Sequence, residues 1–159
     1  MGEAVDNSFS QMEPADIRAL VTYLRSIPAV ASSEPATIAP PAPISPKEGG
    51  AVANSLGRKV FEQACASCHS WTGVSPLSPV ATISGTRAVN DPNATNVAQI
   101  VISGTRRSTP GAMSMPAFGS TYSDAEIAAV ANYITGRFGS AASKLSANDV
   151  AELRSQTAR

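Results

Sequence analysis

Cys65-Ala66-Ser67-Cys68-His69 is the stretch from which the rest of the chain can be read. Two thiols three positions apart, with a histidine directly after the second, form the pattern for covalent attachment of a c-type haem. Each cysteine adds across one vinyl group as a thioether. The histidine then lies over the porphyrin face and ligates the iron through a ring nitrogen. The spacing sets both sulfurs at the macrocycle edge within one short turn and swings the imidazole over the metal.

Two other chemistries use the same thiol spacing. A thiol–disulfide oxidoreductase also carries Cys-x-x-Cys. Structural zinc wants four nitrogen or sulfur ligands. The chain holds two cysteines and one histidine, all in this pentapeptide, so zinc would have to recruit carboxylates or a second chain.

The composition fits a chain built around a large apolar group. Hydrophobic residues make up 43% of the 159, but aromatics only 5%, which is thin for a self-sufficient core. Formal net charge is zero, and no basic block argues for nucleic acid or an anionic membrane surface. No apolar run approaches the roughly 18 residues that read as a membrane span. The opening residues, Met1-Gly2-Glu3-Ala4-Val5-Asp6, do not resemble a signal peptide. Because c-type haem is attached outside the bacterial cytoplasm, the expectation is a removed signal or a longer parent chain.

Working outward, residues 12–28 are expected to form a helix, with Ile17, Leu20, Val21, Leu24 and Ile27 in a stripe. Pro14 suits its first turn and Pro28 its end. Residues 29–50 carry repeated prolines among Ala, Ser and Thr and read as a semi-rigid linker. From Ala51 a second helix runs into the haem motif, with Leu56, Val60, Phe61 and Ala64 on its apolar face. Gly57 costs that helix up to about 1 kcal/mol relative to alanine, which a close helix crossing would justify. The stretch from His69 to Asp91 is expected to be loop wrapping a prosthetic group, with Trp71 against the haem or in the core. Asp91-Pro92-Asn93 opens a short helix with Val97, Ile100 and Val101 inward, stopped at Gly104. Ser123-Asp124-Ala125-Glu126 is a capping box for a helix reaching Phe138, with Tyr122 and Ile127 as its staple. Ser146 is placed to cap a last helix carrying Val150 and Leu153. Arg87, Arg106 and Arg107 are candidate partners for propionates, or plain solvated charge.

The iron's sixth ligand cannot be a second histidine of this chain. Methionine sulfur is the common alternative and raises the reduction potential. Met113 and Met115 lie in a loop, the latter 115 − 69 = 46 residues after His69. Pro116 biases Met115 toward an extended backbone, which favours Met115 over Met113.

These residues resemble a class I cytochrome c domain. Gly57 through His69 is similar to that family's first helix and haem site, Met115-Pro116-Ala117-Phe118 to its methionine loop, and residues 123–138 to its last helix. The resemblance covers about residues 51–139 and implies an all-α fold around one covalent haem c. It implies Cys65 and Cys68 as thioethers, His69 and Met115 as iron ligands, and a crossing of Gly57 and Phe61 with Tyr133. It also implies a backbone carbonyl accepting the second N–H of His69. The family's usual proline is missing there: Ala81-Thr82-Ile83-Ser84-Gly85 takes that place, with Pro79 nearby, so the accepting carbonyl stays open.

Residues 15–24 also match residues 125–134, Tyr to Tyr and acid to acid, at an offset of 125 − 15 = 110. The first helix therefore resembles the last helix of a preceding, truncated cytochrome domain, with Met1 near the position of that domain's methionine. The whole pattern resembles the C-terminal haem domain of multi-haem cytochrome c subunits of periplasmic dehydrogenases of the alcohol, aldehyde or molybdenum hydroxylase type. It implies four parts: residues 1–28 from that upstream domain, a linker at 29–50, the cytochrome domain at 51–140 and an extension at 141–159. The implied function is one-electron relay with no substrate chemistry of its own. The implied partners are dehydrogenase catalytic subunits and a downstream acceptor, whether quinone, oxidase or soluble redox protein. A free single-haem shuttle and a thiol–disulfide oxidoreductase are the alternatives.

Overall fold

The apolar stripes become helices largely where their spacing places them. The computed structural model describes residues 4–5, 8–28, 55–106, 111 and 113–157. The linker reading at 29–50, the expected helix start at 51–54, Met1 and Arg107 fall outside the described residues. The chain divides into two units: Met1–Ala39 with Thr105–Ser114, and Pro40–Gly104 with Met115–Arg159.

In the first unit a 3₁₀ turn at Phe9–Gln11 precedes helix α1, Pro14–Ser26. Pro14 occupies the first turn, where its missing N–H costs nothing. Asp16 and Arg25 complement the helix dipole at its two ends. No residue of α1 is buried.

The second unit holds the core. Helix α2 (Ser55–Val60) runs without a break through a π-helical turn (Phe61–Cys65) into α3 (Ala66–His69). After short 3₁₀ turns at Pro79–Ala81 and Ala88–Asn90 come α4 (Thr95–Ser103), α5 (Asp124–Phe138) and α6 (Ala147–Thr157). No strand occurs among the described residues. Helix α5 is central: α2 packs along it, and α4 and α6 pack on it and on each other.

Phe61 is fully buried where α2 crosses α5, with its ring 5.5 Å from Tyr133, 5.4 Å from Phe138 and 5.7 Å from Trp71. Gly57, one turn earlier, is buried too. These tilted aromatic contacts give the crossing a specific geometry as well as apolar burial. The capping box forms as expected: Glu126 N–H donates to Ser123 Oγ, and Ser123 N–H donates to a Glu126 carboxylate oxygen at 2.8 Å. Ser146 and Asp149 repeat that arrangement at the start of α6, and Val150 and Leu153 are buried. Ahead of α6, Asn132 on α5 holds the Leu145 N–H and carbonyl, while Thr135 and Ser143 pair their buried hydroxyls at 2.8 Å.

Three local expectations need correction. Leu56 is 42% exposed, because the buried side of α2 is centred on Gly57 and Val60 rather than on the larger side chain. Ile100 is 38% exposed, while Ala98 and Ile102 are buried beside Val97 and Val101. The inward face of α4 thus lies one residue off the largest-side-chain stripe. That helix also starts later than expected, at Thr95 after a left-handed Ala94.

Candidate functional site

The π-helical turn decides how the motif is presented. Ala66 N–H donates to Phe61 C=O, five residues back, so one extra residue is fitted into the turn before the pentapeptide. That shift buries both Phe61 and Cys65 on one side. Helix α3 then stops at Ser70, whose φ of 61° turns the chain sharply away while its N–H still reaches Ala66 C=O at 2.9 Å. A left-handed non-glycine residue costs on the order of 1–3 kcal/mol and persists where its surroundings enforce it. Here the turn directs the following loop back across the histidine.

That loop is stitched to the motif. Ser75 Oγ donates to Cys68 C=O at 2.6 Å, and Ser75 N–H donates to Thr82 Oγ1 at 3.1 Å. Ile83 and Ser84 N–H both donate to Gly73 C=O. Gly73 sits at φ +74° with the Phe138 ring 2.7 Å from where a Cβ would lie, so this turn accepts no side chain. Arg137 on α5 donates to Trp71 C=O at 3.0 Å from Nη2. Trp71 is partly exposed and rests its ring on Phe61.

The carbonyl left open by the sequence is that of Ala81. His69 Nδ1 lies 2.6 Å from Ala81 O. A carbonyl only accepts, so Nδ1 is the donor, and in the neutral ring this tautomer has its lone pair on Nε2. Ala81 ends the 3₁₀ turn that Pro79 begins, so the proline fixes the acceptor from two residues away. This partner sets both the tautomer and the ring plane.

The thiol environment separates the remaining readings. Cys65 is buried, and burial first and Cys68 second push its thiol up to about 11. A redox-active Cys-x-x-Cys needs the opposite, a stabilised thiolate within reach of its substrate. Among the described residues no three His, Cys, Asp or Glu side chains gather as a metal-binding group, which leaves zinc short of ligands. Two free cysteines and an imidazole with an available Nε2 fit a covalent haem instead. The loop after the motif leaves Val74, Leu77 and Val80 exposed.

Met115 is half-buried against the core cluster, whereas Met113 is 41% exposed. The Met115 segment crosses the end of α4 at Gly104. That glycine has φ +68° and ψ −167°, and a Cβ there would come within 2.8 Å of Ala117 N and Pro116 C. Phe118 and Gly119 N–H donate to Val101 and Ile102 C=O, satisfying carbonyls at the end of α4. The sequence showed Gly104 only as a helix stop; it is also the surface on which the methionine segment lies. Arg87 and Arg106 are both exposed.

An all-α unit with this donor set defines a cytochrome c domain. A family model described as "Cytochrome C oxidase, cbb3-type, subunit III" matches residues 52–134, and the chain belongs to that family. It is 31% identical over 174 residues to the fructose dehydrogenase cytochrome subunit of Gluconobacter japonicus. It is 31% identical over 169 residues to the gluconate 2-dehydrogenase cytochrome c subunit of Pantoea cypripedii. Against the cytochrome c subunit of the quinone alcohol dehydrogenase of Gluconobacter oxydans (strain 621H) it is 30% identical over 168 residues. Each match takes in 97% of this chain and 33–36% of the relative, so the chain spans about a third of the length of the curated relatives it matches. Covalent haem c is the cofactor of such a domain, and its work is electron transfer rather than substrate turnover. No helix among the described residues is long and apolar enough to cross a membrane.

Proposed function

We propose that this chain is the C-terminal electron-relay portion of a periplasmic dehydrogenase cytochrome subunit, in which Cys65 and Cys68 would hold the haem as thioethers and His69 and Met115 would ligate its iron. Haem c supplies a one-electron ferric/ferrous couple. The observation that carries the reading is the His69–Ala81 hydrogen bond, which occupies Nδ1 and leaves Nε2 as the ring nitrogen for a ligand bond. Met115, from a segment packed on the core, would supply the second protein ligand, and two protein ligands would disfavour oxygen or substrate at the iron. The loop through Gly73 and Ser75 shields the histidine side. Near-zero net charge makes docking of redox partners brief and weakly steered.

The relatives are named as subunits of fructose, gluconate and alcohol dehydrogenases, which supports a dehydrogenase catalytic subunit as electron donor. The downstream acceptor is a quinone, an oxidase or a soluble redox protein. Their similarity extends over 97% of the chain, so it takes in α1 and the proline-rich stretch as well as the haem domain. Together with the internal repeat, this supports α1 as the last helix of a preceding cytochrome domain, residues 29–50 as linker and 141–159 as extension.

Ligation is tested in the matured protein. Met115→Ala abolishes the weak near-infrared sulfur band of the oxidised form and lowers the reduction potential, whereas Met113→Ala leaves both nearly intact. The reverse pattern would transfer the ligand to Met113; a band retained in both variants would show that neither Met113 nor Met115 is required, and a wild-type protein without the band would remove sulfur ligation altogether.

A further inference from the structure

The C-terminal helix reaches back to the methionine segment through one side chain. Arg154 on α6 donates from Nη1 to Gly119 C=O, from Nη2 to Tyr122 C=O at 3.1 Å, and from Nε to Asp124 Oδ1 at 2.9 Å. Its Nη2 also lies 2.8 Å from Asp124 Oδ1. One guanidinium therefore ties together the turn after Met115 and the first residue of α5. Its side chain is only 32% exposed, so these bonds are less screened than those of a solvated surface pair.

The bonded turn is continuous with the ligand. Gly119 lies four positions after Met115. Within that interval Phe118 and Gly119 N–H groups are held by α4, while the Gly119 carbonyl is held by Arg154. The segment is thus gripped from two sides, by the end of α4 and by α6. Arg154 lies 154 − 134 = 20 residues past the last residue of the family match, so this grip comes from the extension and not from the matched haem domain.

We infer that Arg154 is a positioning residue for the sixth iron ligand: it holds the Met115 segment closed and sets how readily the sulfur leaves the metal. The inference rests on the reading that Met115 is that ligand. Removing the guanidinium raises the fraction of molecules with the segment open. An added ligand that competes for the same iron position gains apparent affinity in proportion to that fraction.

The test is imidazole titration of the ferric, haem-loaded protein, followed by loss of the near-infrared sulfur band. Arg154→Met keeps most of the stem and loses every donor; its apparent imidazole affinity should rise about tenfold, the scale expected for losing a charge-assisted hydrogen bond. Arg154→Lys retains the charge but cannot span all the acceptors, and should rise by less. Val150→Ala removes buried volume from the same helix without touching the guanidinium bonds, and should stay close to wild type. In a Met115→Ala background, where the titration is followed by the visible haem absorbance because the sulfur band is gone, adding Arg154→Met should change nothing further. An unchanged titration in both Arg154 variants overturns the inference, as does an equal rise in Val150→Ala. If Arg154→Met does not fold, Arg154→Lys decides alone, and wild-type affinity there counts against the inference. A wild-type ferric protein without the sulfur band removes Met115 as ligand, a separate and distinguishable failure.

Discussion

Residues 15–24 of α1 and 125–134 of α5 align position for position, yet their side chains meet opposite surroundings. Ile127, Val130, Ala131 and Ile134 are buried on α5, while Ile17 is 38% and Leu24 57% exposed on α1. Tyr133 packs on Phe61 at 5.5 Å; its counterpart Tyr23 is 64% exposed. The same apolar stripe suffices to make a helix in both places. What differs is a complementary surface: α2, α4 and α6 supply it for α5. Helix formation is thus written locally, whereas burial is a property of the partners, and most helical stability in proteins comes from packing rather than propensity.

The sharpest way to break this comparison is to truncate matched residues. Ile127→Ala removes a fully buried side chain at the centre of the core and should cost about 2–5 kcal/mol in denaturant unfolding of the haem-loaded protein. Ile17→Ala, at the aligned position, should change stability by no more than about 0.5 kcal/mol, as exposed substitutions do. In a longer protein carrying the proposed preceding cytochrome domain, Ile17→Ala should become costly as well. Equal costs in the present chain would show that α1 has an equivalent partner already. A cost for Ile17 that stays small in the longer protein would remove α1 from that domain.

What could be read ahead of the structure follows the same division between local and tertiary information. The Ser123–Glu126 box and the Ser146 cap are short-range patterns, each complete within a few residues, and each forms as expected. The Phe61–Tyr133 contact came from family resemblance and is present. The π-helical turn before Cys65 has no sequence signature of its own, because its extra residue is fitted to the packing of Phe61 on three other rings. Leu56 and Ile100 mislead because size and hydrophobicity favour them for the core, whereas a close helix approach at Gly57 and Ala98 selects smaller neighbours. The Ala81 carbonyl could be narrowed to a pentapeptide but not chosen within it. Arg154 was invisible: its partners lie 30, 32 and 35 residues away, and a lone arginine on a terminal helix reads as solvated charge.

The helix starts sharpen the comparison at a smaller scale. Helix α5 begins with a complete capping box, while α1 begins at Glu13 with no side-chain cap. Ser123→Ala leaves the Glu126 N–H of α5 without its acceptor and should cost about 0.5–2 kcal/mol. Conversely, Glu13→Ser places a good cap before Pro14 and should raise the helicity of α1, read as slower amide exchange in its first turns. Stability unchanged by Ser123→Ala would mean that tertiary packing alone fixes the start of α5.

The smallest effect is a pH dependence confined to the capped helices. The Ser123 hydroxyl, and then its backbone N–H, hold the Glu126 carboxyl below its ordinary value of 4.5. A carboxyl depressed by folding stabilises the folded state above its unfolded pKa, and that contribution is lost as pH falls through the folded pKa. Asp149 is lowered in the same way by Ser146, so α6 should loosen over the same acid range. Thermal unfolding midpoints of wild type and Glu126→Gln should therefore differ most near neutral pH and converge as pH drops below about 4, the reference range for carboxylates. The remaining acid sensitivity of Glu126→Gln should fall again when Asp149→Asn is added. A wild-type-to-variant difference that is constant from pH 7 to pH 3 would show that Glu126 acts at this helix start by shape alone, with no contribution from its charge.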